Sequence, residues 1–557
     1  MNNYKLAILG DSATQLISKK LMSEGIQSNF EFDIYESSYD QIELEIRNPD
    51  SDLYKFTPDG ILIFLSVEKI QVDFYLTQME TRSSFFRKVI SNLENFVTLL
   101  KERLPASKIF ITNLAEISDG VYGNNSNKYA ESLLNNIRRI NVFLMDLSQN
   151  ESNVFILDIA VLQSIHGRNT LFDPRLYIQA SLILVGDGIS MFSRELIGMI
   201  NSSIGGAKKC LILDLDNTVW GGVIGDDGVE KIEVGSLGMG KAFTRLQKWA
   251  KQLQLRGILL AVCSKNTEEV AKAPFELHPE MVLRLEDISI FVANWNDKAS
   301  NIKFIQSNLN IGFDSMVFID DNPFERELVR KALPQVCVPE LPEDPADYVD
   351  FLAGLNLFEP GILSALDSER TKMIQKEIER NELKNQFSDE SEFLKSIHMI
   401  GTFDSFNSFN TPRVAQLSER SNQYNLRTLR YSESDVQAIS LASDRIGMAI
   451  SLRDDLGDHG LISVIVIKHN QDELFIENWF MSCRVLKRGV EYMALNKIID
   501  YAKKLNCKSV TGEYIPTLKN KLVKDHFQDL GFTFNAEGRW YLGVEGYAPR
   551  NHYIKEQ

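Results

Sequence analysis

Three short apolar runs, each ending in polar chemistry, constrain this chain more than any other feature. Lys209-Cys210-Leu211-Ile212-Leu213 leads into Asp214-Leu215-Asp216-Asn217-Thr218. Ile258-Leu259-Leu260-Ala261-Val262-Cys263 leads into Ser264-Lys265-Asn266, and Met316-Val317-Phe318-Ile319 into Asp320-Asp321-Asn322-Pro323. Runs this uniformly apolar belong to strands buried on both faces. With helical patterns between them they imply a parallel sheet, whose ligands gather beyond the carboxyl ends of its strands. Lys298, in Asn294-Trp295-Asn296-Asp297-Lys298, is a fourth station of the same kind.

Residue types at these stations belong together chemically. Asp214 and Asp216 are two residues apart at a strand end and point to the same side. One can attack phosphorus while the other exchanges a proton with the leaving group. Their charge opposes an anionic substrate, so a Mg²⁺ ion is needed between them. The Ser264 hydroxyl can hold a phosphoryl oxygen, Lys298 adds a cation, and Asp320 with Asp321 suits a hard metal.

At these positions the chain resembles the haloacid dehalogenase superfamily of Mg²⁺-dependent phosphotransferases, and more narrowly the FkbH-like family. The narrower likeness lies in Asp216-Asn217-Thr218-Val219-Trp220-Gly221-Gly222-Val223-Ile224-Gly225, in His278-Pro279-Glu280-Met281-Val282-Leu283, and in Ile319-Asp320-Asp321-Asn322-Pro323-Phe324-Glu325-Arg326-Glu327. It runs from about Cys210 to Pro345 and is looser beyond. The resemblance implies Asp214 as nucleophile and Asp216 as acid/base, with Thr218, Ser264 and Lys298 on the phosphate. It implies a Mg²⁺ site drawn from Asp214, Asp216, Asp320 and Asp321. It further implies a glyceryl unit taken from 1,3-bisphosphoglycerate, dephosphorylated and loaded onto the phosphopantetheine thiol of an acyl carrier protein, as in polyketide-type biosynthesis.

A chain of 557 residues exceeds one core and divides into several domains. Its net charge of −16 argues against general nucleic-acid binding. No apolar segment reaches membrane-spanning length, and Met1 to Gly10 does not read as a signal peptide. Cys210, Cys263, Cys337, Cys483 and Cys507 are scattered, with neither zinc spacing nor a disulfide framework, which fits a reducing cytoplasm.

The expected organisation is a three-domain α/β chain. Residues 1–205 carry strand patterns at 4–9, 60–65, 109–112 and 154–157 around a helical stretch from about Ser83 to Arg103. Gly10-Asp11-Ser12 after the first strand resembles the start of the SGNH hydrolases, whose nucleophile is that serine. The expected late Asp-x-x-His reads Asp173-Pro174-Arg175-Leu176 here, so a degenerate, non-hydrolytic SGNH-like domain is favoured over an active esterase. Residues 206–345 form the haloacid dehalogenase-like Rossmannoid domain, with a hinge at Gly205-Gly206. Only a small flap fits between Gly222 and Lys241, so an incoming protein can serve to exclude water.

Residues 346–400 read as a linker whose 368–387 stretch is an exposed charged helix. Residues 401–557 have a strand–strand–helix–strand order, from Gly460 to Glu513, that resembles the GNAT acyltransferases. In the loop before the helix, Arg484 to Glu491, the Glu491 carboxylate opposes a cofactor pyrophosphate. A carrier protein's phosphopantetheine arm is less affected. From Arg484 to Asp529 ten Lys and Arg face five Asp and Glu, a surface that either docks an acidic carrier protein or simply keeps the domain soluble.

Three further side chains have two readings each. Cys263 is an acyl-carrying nucleophile activated by Lys265 and Lys298, or a buried core thiol turned away from Ser264. Cys483 beside Arg484 is a second possible acyl carrier. His278 is a base or a turn residue beside Pro279. The function then has three readings: the glyceryl transferase/phosphatase, a small-molecule Mg²⁺-dependent phosphatase without a carrier protein, and a non-catalytic carrier-protein adaptor.

Overall fold

The stretch Asn2-Asn3-Tyr4-Lys5-Leu6-Ala7-Ile8-Leu9-Gly10 begins exposed and becomes wholly buried, the pattern of a central strand entering a core. The computed structural model describes residues 2–360, 371, 375, 390–421, 423–455, 457–482, 485–486, 488–517, 519–535 and 538–557. The chain divides into two units, with the break between Gly206 and Ala207.

Unit 1 holds a five-stranded sheet of β1 (Asn2–Gly10), β2 (Phe30–Glu36), β3 (Gly60–Phe64), β4 (Lys108–Thr112) and β5 (Val154–Leu157). All pairings are parallel, in the order β2-β1-β3-β4-β5. The order reverses between β1 and β3, which is where open parallel sheets leave a crevice at their carboxyl edge. Strand β2 is absent from the sequence reading. Phe30, Phe32 and Ile34 alternate with Glu31 and Asp33, and this half-buried edge strand lacks the continuous apolar run of its neighbours. The helix Phe85–Arg103 lies where its periodicity places it, burying Leu93, Phe96, Val97 and Leu100.

Unit 2 contains two sheets. The first comprises β6 (Cys210–Leu213), β7 (Leu259–Ser264), β8 (Ile288–Ala293) and β9 (Met316–Ile319), parallel in the order β8-β7-β6-β9. Alternation divides its side chains between two cores. Leu211, Leu213, Leu260 and Val262 fill one, and Cys210, Ile212, Leu259, Ala261 and Cys263 fill the other.

The domain does not end at Pro345. Tyr348, Val349, Leu352 and Phe358 pack into the first of these cores, so 346–358 belongs to this body rather than to a linker. Most of the expected charged helix lies outside the described residues. Its Thr371 accepts a hydrogen bond from Gln254 Nε2 (3.1 Å), and Gln375 Nε2 donates to the Ile288 carbonyl (2.9 Å).

The second sheet is mixed: β10 (Ile400–Ser405), β11 (Arg445–Asp454), β12 (Gly457–Asn470), β13 (Glu473–Met481), β14 (Ser509–Gly512), β15 (Thr533–Phe534), β16 (Trp540–Gly543) and β17 (Lys555–Glu556). Their order is β15-β16-β14-β13-β12-β11-β10-β17. Strands β13 and β14 are parallel and are joined through the helix Val490–Lys504, which buries Met493, Ala494, Ile498 and Ile499. Their pairing stops at Ile476 and Gly512, although β13 continues to Met481. Beyond that point the segment 424–426 takes the vacant edge, with Leu426 N donating to Trp479 O and Met481 N to Tyr424 O.

Candidate active site

The four stations meet at the carboxyl edge of the first sheet in unit 2. Strands β6 and β9 are neighbours in register, Leu213 opposite Ile319, so Asp214 and Asp320 leave the sheet side by side. Carboxylate oxygens of Asp214, Asp320 and Asp321 lie within 4.8 Å of one another. Lys298 enters from the first turn of the helix Lys298–Leu309, whose start is capped by Asp297 accepting from Ser300 N (2.8 Å). Its Nζ stands 2.8 Å from Asp214 Oδ1 and 2.5 Å from Asp320 Oδ2.

Burial dominates the electrostatics. It pushes the Asp214 carboxyl above the usual range against the pull of Lys298, with Asp320 adding to the rise. It works against the Lys298 ammonium too, but Asp214 and Asp320 outweigh it and hold that group in its charged form. Three converging carboxyl groups with one ammonium leave the cluster short of positive charge. All-oxygen donors at this spacing suit a hard divalent cation, so these residues fit Mg²⁺.

Asp216 is outside this cluster, contrary to its expected place among the metal ligands. Its Oδ1 accepts from Trp220 Nε1 (3.0 Å) and Ile224 N (2.9 Å), and its Oδ2 from Asn266 Nδ2 (2.9 Å). Three donors fix this carboxylate in orientation and leave it about one open lone pair, on Oδ2. Ser264 is buried, and its Oγ also accepts from Asn266 Nδ2 (3.2 Å). Thr218 is buried beside Asp321, whose backbone N–H donates to its Oγ1 (3.1 Å).

Cys263 does not enter the site. It is fully buried in the core on the sheet face opposite Leu260 and Val262, and burial raises its thiol pKa far above the ordinary value. Lys265 is engaged elsewhere, with Glu325 Oε1 (2.6 Å). His278 caps the end of the helix Glu268–Leu277 and accepts from Glu280 N (3.3 Å), the geometry of a turn. Cys483, Arg484 and Lys487 lie outside the described residues. Of the basic stretch, Lys508 pairs with Asp472 (2.6 Å) and Lys497 with Glu556 (2.7 Å).

Several positioning side chains have no role in the sequence reading. Asn266 ties Asp216 to Ser264, and Trp220 Nε1 donates to Asp216. The buried Arg326 Nη1 donates to the carbonyls of Asp320 (2.8 Å) and Asp321 (2.7 Å) while its Nη2 pairs with Glu340, so one guanidinium shapes the acidic turn. Asn266 and Arg326 fall inside the quoted motifs, but spacing alone does not show what an amide or guanidinium bonds. The expected flap is present as the short helix Ile224–Asp227 and a bridge between Gly221 and Glu233. Ser236 N donates to Glu280 Oε1 (3.0 Å), and Gly235 at φ +118 leaves room for that carboxylate where a Cβ would collide.

Residues 5–201 match the family model described as FkbH, N-terminal domain. The N-terminal part of a Bacteroides fragilis protein, crystallised with its phosphatase domain in complex with Mg, is similar at 46% identity and a TM-score of 0.62. The match covers 65% of this chain and 95% of that one. The ribosomal-protein-S18-alanine N-acetyltransferase of Escherichia coli matches 28% of this chain and 99% of its own, at 14% identity and a TM-score of 0.21. No curated protein matches. Among the described residues no helix is long and apolar enough to cross a membrane. With its amino-terminal match and its Asp214, Asp320 and Asp321 cluster, the chain belongs to the FkbH-like family and carries a haloacid dehalogenase-type, Mg²⁺-dependent phosphatase site.

Proposed function

We propose that the chain takes the glyceryl unit from 1,3-bisphosphoglycerate, removes its phosphate ester, and places the unit on the phosphopantetheine thiol of an acyl carrier protein. The observation that carries this reading is the assembled cluster of Asp214, Asp320, Asp321 and Lys298 in a chain of this family. In this reading Asp214 attacks phosphorus, and Asp216 gives a proton to the departing alkoxide. Asp216 then takes one from the water that hydrolyses the aspartyl phosphate. Ser264, Lys298 and Thr218 hold the phosphoryl oxygens. Asp214, Asp320 and Asp321 would hold Mg²⁺, which when bound neutralises charge on the phosphoryl group. The acyl phosphate needs less help, because its carbonyl is already activated towards a thiolate.

The mixed sheet of unit 2 serves in this proposal as a GNAT-like domain for acyl transfer or carrier docking. Unit 1 serves as a non-hydrolytic SGNH-like domain. Asp173 supports the latter point: it caps the helix Pro174–Ala180 and binds Arg175, so it is not orienting a base. The cytoplasm is the proposed compartment, without nucleic acid or membrane as partners. A second reading, a small-molecule phosphatase without a carrier protein, draws support from the lysines that are already paired with Asp472 and Glu556.

The deciding experiment incubates the protein with 1,3-bisphosphoglycerate, Mg²⁺ and a holo-carrier protein and measures the carrier's intact mass. A glyceryl adduct on the carrier is expected. Free phosphate with an unmodified carrier would establish the second reading instead. Asp214→Asn is expected to abolish phosphate release in either case, and retained release would remove the phosphoaspartyl mechanism.

A further inference from the structure

Strands β13 and β14 run parallel only as far as Ile476 and Gly512, and their pairing ends there. Two parallel strands that part expose facing rows of backbone N–H and C=O groups, where an extended chain bearing amides can add itself to the sheet. A phosphopantetheine arm is such a chain, alone or within coenzyme A. Residues 424–428 of the protein itself already stand in that place. Asn425 bridges to Phe480 in the antiparallel sense, Leu426 N donates to Trp479 O (3.1 Å), and Met481 N donates to Tyr424 O (3.1 Å). On the far side Ile515 N donates to Leu426 O (2.9 Å), so the insert is bonded to both parting strands.

Arg427 holds the fork itself. Its Nη1 donates to the Glu477 carbonyl (3.1 Å) and its Nε lies 3.1 Å from Glu513 Oε2, one residue past the last pair on each strand. Asn425, Asn478 and Asn520, all fully buried, fasten the rest. Asn425 Oδ1 accepts from Thr428 N (2.8 Å) and Asn478 Oδ1 from Arg427 N (3.2 Å). Asn520 Nδ2 donates to the carbonyls of Asn425 (3.0 Å) and Ile515 (2.9 Å), and its Oδ1 accepts from Thr517 N (2.7 Å). Buried amides are stable only when bonded, and lifting the insert out would take partners from all three. A second observation comes from the helix Val490–Lys504, which carries Glu491 in its first turn. The Tyr424 phenol, its pKa raised first by burial, also feels Glu491, so this acid stands near the insert. A pyrophosphate at that helix start meets a carboxylate; an arm without the pyrophosphate escapes Glu491 but still meets the insert.

We infer that the mixed sheet does not receive a coenzyme A thioester or a phosphopantetheine arm between β13 and β14, because residues 424–428 are a fixed part of that sheet. Within the proposed function, on which this step rests, acyl transfer along β13 drops out of the domain's roles and carrier docking stays.

Amide hydrogen exchange of the full chain tests this, read by mass spectrometry on peptides spanning 424–428, 477–481 and 513–515. In the parent these peptides are expected to exchange as slowly as the central part of β12, and coenzyme A or pantetheine at about 2 mM should alter them less than about twofold. Loop-like exchange in the parent, or a larger change with either probe, overturns the inference. Asn520→Ala should speed exchange in all three peptides about fivefold or more, the loss of a buried hydrogen-bonded amide, and a smaller effect also overturns it. Should Asn520→Ala not fold, Arg427→Gln carries the same test, since it clears the fork and leaves the buried amides in place. A glyceryl adduct on the carrier bears on the proposed function and not on these amides, so the two fail separately.

Discussion

Replacing Asn266 by alanine tests whether Asp216, the proposed acid/base, is held in place by its neighbours. The Asn266 amide is buried and divides its two N–H bonds between Asp216 Oδ2 (2.9 Å) and Ser264 Oγ (3.2 Å). A hydrogen bond to a charged group contributes about 1.5–3 kcal/mol. Asp216 would keep two of its three donors, Trp220 Nε1 and Ile224 N, so the loss belongs at the lower end of that range. At about 1.5–2 kcal/mol in the barrier, kcat should fall roughly 10- to 30-fold. KM should move by less than about threefold, because Lys298 and Ser264, the proposed phosphoryl ligands, are unchanged. Asn266→Asp should be worse, since it sets a second carboxylate against Asp216 and removes the donor. Phosphate release is measured from an alkyl phosphate ester and from p-nitrophenyl phosphate. The alkyl ester should lose more, because its leaving group needs the proton that the proposed mechanism draws from Asp216. An Asn266→Ala rate within about twofold of the parent, or an Asn266→Asp rate above Asn266→Ala, would refute the argument.

Three other perturbations have defined outcomes. Cys263→Ala should release phosphate within about twofold of the parent rate, because this thiol packs in the core away from the site; a loss of about tenfold or more would return it to the chemistry. Arg326→Met should lower stability by about 2–4 kcal/mol in urea unfolding, since it strands the Asp320 and Asp321 carbonyls; a change below about 0.5 kcal/mol would show that the guanidinium does not shape that turn. His526 is buried among Tyr424, Trp479 and Phe527, and burial draws its pKa down from 6.5 to about 3. The unfolded chain therefore binds the extra proton first, so stability is full above about pH 6.5 and falls as pH drops towards 3, by on the order of 4 kcal/mol. Unfolding free energies of the parent and His526→Asn from pH 4 to 7 should diverge in slope, and parallel slopes would contradict this.

How much of the molecule can be read from its sequence depends on what each segment must satisfy locally. Strands β6, β7 and β9 are buried on both faces, so their apolar runs stand out and the polar residues that end them fall at the sheet edge. Strand β2 is an edge strand, and β11 carries Gly447 and Arg445 among its apolar residues, so neither makes such a run. The linker reads too long because its first residues, Tyr348 to Phe358, are apolar only at the spacing that meets a neighbouring core, and no local signal announces that neighbour. Carboxylate roles show the same division. Asp214, Asp320 and Asp321 converge because register brings β6 beside β9, which a strand-end rule captures. Asp216 is turned away by hydrogen bonds from Trp220 and Ile224, in the loop that follows it, and from Asn266, beyond the end of β7. Where a side chain's direction is set by its own strand, periodicity suffices; where it is set by donors from elsewhere in the fold, only the assembled structure reveals it.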